Sequence, residues 1–235
     1  MGHLYLVRHG QASFGAEDYD QLSDLGQRQS VKLGRYLANH GLQFEAVYTG
    51  TLRRHAQTLS GMVLGATVVA AEAKTSDATG LGQTPTVLPG LDEYDANAVI
   101  RAIHPQPLAR PDTPELYRHH FRVLRDGLTQ WMNGVISPQG MLRYDEFLAG
   151  VTDALDQVRQ QHSGNVLIVS SGGPISTAVG HVLGTSPETT IELNLRIRNS
   201  AVTEFAFNPK RHTLLTFNTL PHLPTPDFAD WVTHA

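Results

Sequence analysis

The chain has 235 residues, 40% of them apolar and 17% charged, long enough to bury a full core and too apolar to stay disordered. Its 22 acidic side chains against 18 basic ones give a formal charge of −4, so no general positive field attracts nucleic acid or an anionic membrane, and any anion must be held by local groups. With no cysteine there are no disulfides, no thiolate nucleophile and no cysteine zinc site, which fits a reducing compartment.

In chain order, Leu4, Tyr5, Leu6 and Val7 form an apolar run too short for a signal sequence, with no basic segment before it, and the run reads as a first strand over 3–7. Gly2 does not make a myristoylation motif, because the position that needs Ser or Thr is Leu6. A helix is predicted over 23–40, with Ser23 as its cap, Leu25, Leu33 and Leu37 on its apolar side and Gly41 as its stop. A strand at 46–49 and a helix over 51–64 come next. The Gly-, Thr- and Pro-rich stretch 75–90 reads as a long surface connection.

Residues 94–140 are expected to form a cap-like elaboration over a sheet. Within them Tyr117, Phe121, Leu124, Leu128, Trp131 and Val135 recur at helical spacing, a stripe best read as core, and 134–140 supply turn residues. Phe147, Val151, Leu155 and Val158 mark another helix, followed by a continuous apolar strand at 165–170 and a helix at 174–183 closed by Gly184. Strands at 201–207 and 213–217 around Asn208, Pro209 and Lys210 are spaced as an antiparallel hairpin. The alternation of strand and helix predicts an α/β sheet protein, one domain over 1–220 with a Pro-rich tail over 221–235. No run approaches the roughly 18 apolar residues of a membrane span, so the expected location is cytoplasmic.

Three segments at the carboxyl ends of predicted strands carry groups suited to one anion, the usual place for ligands in open α/β sheets. Arg8-His9-Gly10 follows the first strand: a guanidinium offers a planar fork for phosphate oxygens, a neutral imidazole can attack phosphorus, and a glycine lets backbone approach closely. Arg53-Arg54-His55 follows the second strand, at a helix start whose free N–H groups also favour anions. Ser170-Ser171-Gly172-Gly173-Pro174 is a strand-to-helix turn of small residues.

Leu6-Val7-Arg8-His9-Gly10, then Leu22-Ser23-Asp24-Leu25-Gly26 with Gln29, then Leu52-Arg53-Arg54 with Gln57-Thr58, and finally Ser170-x-Gly172-Gly173, resemble in order the histidine phosphatase superfamily, the phosphoglycerate mutase-like group. The resemblance covers most of the chain. It implies a three-layer α/β/α fold with a mostly parallel sheet and a helical insertion over the site. His9 is then the nucleophile that becomes phosphohistidine, and Arg8 and Arg54 are phosphate clamps. It also implies an acidic general acid after a leucine, which Leu91-Asp92-Glu93 supplies as Glu93, with Asp92 and Asp95 as fallbacks.

Two departures bear on activity. Family members usually carry a second histidine where this chain has Ser171, whose hydroxyl can bond phosphate but brings no positive charge. Losing one preorganised donor costs about 2.7–4 kcal/mol, on the order of a hundred- to thousandfold in rate, which predicts reduced activity unless another group substitutes. His55 stands where the family commonly has a small residue and is the candidate substitute, provided that the helix is not yet regular there, since successive helical residues point about 100° apart. The second departure is Gly15, at the spacing where many mutase-like members place a phosphate-contacting asparagine. Gln11, Ser13 and Phe14 are expected to line the entrance instead.

His119, His120, His162 and His181 read as surface histidines, and with no HExxH or comparable spacing neither a metal nor an organic cofactor is expected. The leading expectation is a phosphomonoester hydrolase working through phosphohistidine on a small or flexible phosphorylated substrate. Arg8, Arg54, Ser171, Gly172 and His55 bind the phosphoryl group, with no nucleic-acid or membrane partner and the oligomeric state left open. Mutase action is disfavoured. The competing class is a non-catalytic phosphate-binding or interaction protein on the same scaffold, favoured by Ser171.

Overall fold

A computed structural model describes residues 1–13, 20–76, 79–109, 112–224 and 226–234. Among these residues six strands form one sheet: β1 (Gly2–Arg8), β2 (Ala46–Thr49), β3 (Thr86–Val87), β4 (Asn165–Ser170), β5 (Val202–Asn208) and β6 (Arg211–Thr219), in the order β3-β2-β4-β1-β5-β6. The first four of them in chain order run parallel; β5 is antiparallel to β1, and β6 to β5. The central strand β4 shows why the fold has three layers. Its side chains alternate, so Val166 and Ile168 enter one apolar cluster while Leu167 and Val169 enter the other, and all four are fully buried.

Two helices, α1 (Asp24–Asn39) and α2 (Arg53–Glu72), cover the face that carries Leu167 and Val169. The opposite face is covered by α3 (Ala96–Ile103), α4 (Pro114–Met132), α5 (Tyr144–Gln161), α6 (Gly172–Leu183) and α7 (Pro187–Arg196). α2 runs past the expected end at 64. A Cβ on Gly65 would lie 2.1 Å from the Val31 carbonyl oxygen, and one on Gly34 1.9 Å from that of Met62. The glycines let the backbones of α1 and α2 touch, and this packing outweighs the weak helix propensity of Gly65, Thr67, Val68 and Val69.

Three other expectations need correction. The stretch 75–90 is not wholly a surface connection: it buries Leu81 and Thr79 and contributes β3, which pairs with β2. The helix after β4 starts at Gly172 rather than 174, because Pro174 falls in the first turn, where no N–H is needed. The apolar stripe of α4 is core only in its C-terminal half. Leu124, Leu128 and Trp131 are buried and the Trp131 indole donates to the Leu142 carbonyl, whereas Tyr117 is 48% exposed, and Val135 falls beyond the helix end at Met132 and is 69% exposed.

The segment beyond Pro221 lies along α1. Gln29 donates to the Trp231 carbonyl and to the Thr233 hydroxyl, while Arg28 stacks over Trp231 and Lys32 over Phe228. Arg198 and His234 form an isolated antiparallel bridge.

Candidate active site

β1 and β4 are adjacent and parallel, with Arg8 opposite Ser170, so the residues that follow them, His9 and Ser171, emerge side by side at the carboxyl edge of the sheet. The His9 amide donates to the Ser170 carbonyl at 2.9 Å. Its own carbonyl accepts from the Ser200 amide, delivered by a left-handed backbone at Ser200 (φ +57°). The same loop receives Arg8, whose guanidinium donates to the Ile197 carbonyl. Gly10 has to lack a side chain, since a Cβ there would lie 2.4 Å from the Gly26 carbonyl oxygen of α1.

His9 is 3% exposed, almost wholly removed from solvent. Its Nδ1 lies 2.7 Å from the Gly10 carbonyl, which can only accept, so Nδ1 carries the proton. Nε2 of the neutral ring therefore presents its lone pair. Burial, and then the positive charges of Arg8 and Arg54 and the neighbouring His55, hold the His9 pKa well below that of ordinary imidazole. The ring is thus in its nucleophilic form at neutral pH.

Arg54 comes from the first turn of α2 and is 7% exposed. It donates to Asp20 at 2.9 Å, and Asp20 also accepts the Arg53 amide, so one carboxylate both caps the helix and holds the guanidinium. Sequence reasoning missed Asp20. The available signal was an acidic run at 17, 18 and 20 ahead of a paired Arg53-Arg54. At the start of α2 the His55 amide bonds the Leu52 carbonyl three residues back at 3.0 Å, closer than the Ala56 amide four residues on at 3.4 Å, so the first turn is tightened there. His55 is fully buried, its ring centroid 5.9 Å from that of His9 and its Nε2 2.7 Å from the Ser171 hydroxyl. Burial and the adjacent Arg54 push its pKa down to about 3.

The three acidic candidates separate cleanly. Both oxygens of Glu93 accept from the Gly173 amide at 3.1 Å, and a Cβ on Gly173 would lie only 2.1 Å from Oε1, so this glycine is what admits the carboxyl group. Burial raises the Glu93 pKa, opposed by the Gly173 amide and by Arg54 and Arg8. Asp95 instead caps α3 through the amides of Asn97 and Ala98. Asp92 binds the amide and hydroxyl of Thr51 and faces His55. Gly172 passes close to Arg8, a Cβ there being 3.7 Å from Nε.

Of the residues expected at the entrance, Gln11 bonds Ser23 and Gln29, and the Ser13 amide bonds the Gln21 carbonyl. Phe14 and Gly15 lie outside the described residues. His119 and His181 are exposed; His120 and His162 are half-buried, and His162 bonds Tyr48. Among the described residues no group of three or more His, Cys, Asp or Glu side chains has metal-binding geometry, and no helix is long and apolar enough to cross a membrane.

The family model for the histidine phosphatase superfamily (branch 1) matches residues 4–220, a span that takes in all the strand ends just described. The chain belongs to the histidine phosphatase superfamily. Over a 65-position alignment that covers 25% of the chain, it is 35% identical to the 2,3-bisphosphoglycerate-dependent phosphoglycerate mutase of Lactobacillus acidophilus, and the match spans only 28% of that enzyme's length. In overall structure the chain is similar to a phosphoserine phosphatase from Entamoeba histolytica in complex with phosphoserine, with a TM-score of 0.61, 19% identity, and 95% of this chain and 100% of that one covered. It is also similar to a phosphoglycerate mutase from Bacillus anthracis, with a TM-score of 0.60, 17% identity and 94% of each chain covered. At such identities the likeness is one of fold. The superfamily fold thus holds both phosphatases and mutases, and the chemistry of this member has to be argued from its own residues.

Proposed function

We propose that this histidine phosphatase superfamily member is a phosphomonoester hydrolase that passes the phosphoryl group through His9. The observation that carries the reading is the neutral His9 ring with its proton fixed on Nδ1, set among the guanidinium groups of Arg8 and Arg54 and a half-buried Glu93 whose proton is retained more tightly than usual. Arg8, Arg54, the Ser171 hydroxyl and the Gly172 segment at the start of α6 hold the phosphoryl oxygens, with His55 behind Ser171. Nε2 of His9 attacks phosphorus as the ester P–O bond breaks, and protonated Glu93 gives its proton to the leaving oxygen. The Glu93 carboxylate then takes a proton from water as the water oxygen attacks the phosphohistidine. The P–N bond breaks, inorganic phosphate leaves, and Glu93 is protonated again. This scheme uses no metal and no organic cofactor.

The ring of His9 is nearly closed off, so a substrate reaches it after side chains at the sheet edge move aside.

The second reading, a non-catalytic phosphate-binding protein, is favoured by Ser171 at the position usually held by histidine. Incubation with p-nitrophenyl phosphate separates the two. The proposal expects turnover that vanadate inhibits, since vanadate mimics five-coordinate phosphorus. Vanadate or phosphate binding with no nitrophenol release contradicts it and supports the second reading.

A further inference from the structure

Ser171, His55 and Asp92 line up in one direction away from the phosphoryl site. The Ser171 hydroxyl emerges beside His9, His55 Nε2 lies 2.7 Å behind that hydroxyl, and His55 Nδ1 lies 3.9 Å from Asp92 Oδ1. Nδ1 is buried and has no hydrogen-bond partner, which is a costly state for a ring nitrogen. The gap between Nδ1 and Oδ1 is too short for a bridging water. It exists because residue 50 is glycine: a Cβ there would sit 2.3 Å from Asp92 Oδ1 and 2.5 Å from His55 Nδ1. Asp92 is held by Thr51, whose amide donates to Oδ1, the oxygen that faces His55, and whose hydroxyl donates to Oδ2, so the carboxylate keeps its place without depending on His55.

We propose that Ser171, His55 and Asp92 form a relay that stands in for an imidazole at the phosphoryl group: the Ser171 hydroxyl donates to a phosphoryl oxygen, His55 Nε2–H donates to Ser171 Oγ, and the Asp92 carboxylate holds the far end of the ring. The proposal rests on the phosphatase reading above and adds to it two positioning residues, His55 and Asp92, which act through Ser171. Its logic is that of donors and acceptors. A hydroxyl has one proton, so if Ser171 gives it to His55, only lone pairs face the phosphoryl oxygens. When His55 is the donor, the Ser171 proton turns to the anion. Binding of an oxyanion therefore draws one proton from solvent onto Nε2, giving an imidazolium that donates from Nε2 to Ser171 Oγ and from Nδ1 to Asp92. The charged and titratable groups around this ring are Asp92 across Nδ1, Arg54 on the same helical turn and His9 at 5.9 Å between centroids. Only the bound anion and Asp92 favour a proton-rich His55. At 3.9 Å, Nδ1 and Asp92 Oδ1 are not hydrogen-bonded in the free protein, and the contact is expected to close to hydrogen-bond distance in the complex.

The test combines kinetics with nitrogen NMR. With p-nitrophenyl phosphate, Ser171→Ala and His55→Ala each lower kcat about a hundred- to thousandfold, and the double variant loses no more than either single one, because the residues act as a unit. The transplant His55→Ala/Ser171→His regains most of the lost rate, which a merely structural role for His55 does not predict. In the wild-type protein, ¹⁵N shifts of His55 report Nε2 protonated in the vanadate complex. A His55→Ala variant with wild-type kcat, or an unprotonated Nε2 in that complex, overturns the relay. Should wild type turn over no faster than His9→Ala, the hydrolase reading fails separately, and the NMR measurement still decides the relay.

Discussion

His9→Ala is expected to reduce phosphate release from aryl phosphates by on the order of 10⁴-fold or more, about 5.5 kcal/mol of transition-state stabilisation at 1.36 kcal/mol per tenfold. The size follows from role. The other groups of the site orient the phosphoryl group and balance its charge, but none of them offers a second nucleophile at the same place with its lone pair fixed by a hydrogen bond on the opposite ring nitrogen. The variant should remain folded. His9 is neutral in the folded protein, so its loss removes no charge that Arg8 or Arg54 needs, and those arginines keep the Ile197 carbonyl and Asp20 as partners. Steady-state rates, taken with an unchanged circular dichroism spectrum, test this. Retention of more than a tenth of the wild-type rate would remove His9 from the mechanism.

Glu93→Gln carries the second largest effect, a loss in kcat of about 10²–10⁴-fold, the range of general acid–base catalysis. The loss depends on the leaving group. A nitrophenolate departs with little help, so p-nitrophenyl phosphate is expected at the low end and an alkyl phosphate at the high end. The pH dependence follows from the two displaced pKa values. His9 must be neutral, and its pKa lies well below the usual imidazole value, so the acid limb of kcat/KM moves to low pH. Glu93 must be protonated, and burial raises its pKa above the usual carboxylate value, so kcat/KM falls as pH rises through that raised pKa. In Glu93→Gln the basic limb disappears together with most of the rate. A variant that keeps both limbs, or loses equal rate on both classes of ester, assigns the acid role elsewhere.

The parts of the fold readable from sequence are those whose signal is local. β4 is a continuous apolar run because both of its faces are buried, β1 carries the run Leu4 to Val7 toward its buried carboxyl end, and α1 carries a serine cap that accepts the Gly26 amide as the pattern requires. What escaped depends on distant contacts. β3 is a two-residue strand with no alternation of its own, formed because Thr86 and Val87 find an open edge at β2. The length of α2 is set by Gly34 and Gly65 meeting the backbone of the partner helix. α7 does carry a local signal, Ser186 as cap and Pro187 in the first turn.

The site divides the same way. Arg8, His9, Arg54, Glu93 and Ser171 are legible because each sits at a strand end or in a short motif, and all of them reach one region. Asp20 and the Ser200 amide are not, since their roles arise from a carboxylate reaching a helix start and from one residue in a left-handed conformation. The exchange of imidazole between positions 171 and 55 is visible in sequence only as one lost and one gained histidine. That the two side chains are hydrogen-bonded, with Asp92 behind them, follows from the tight first turn of α2 and the missing side chain at Gly50.

The most direct test of the central idea is to quench the enzyme during turnover of p-nitrophenyl phosphate and map the phosphoryl group by mass spectrometry under alkaline conditions, where phosphohistidine survives. The account predicts one phosphoryl group on the peptide that contains His9, lost on acid treatment and missing from His9→Ala. Turnover that proceeds with the phosphoryl group on another side chain, such as Ser171, would contradict it.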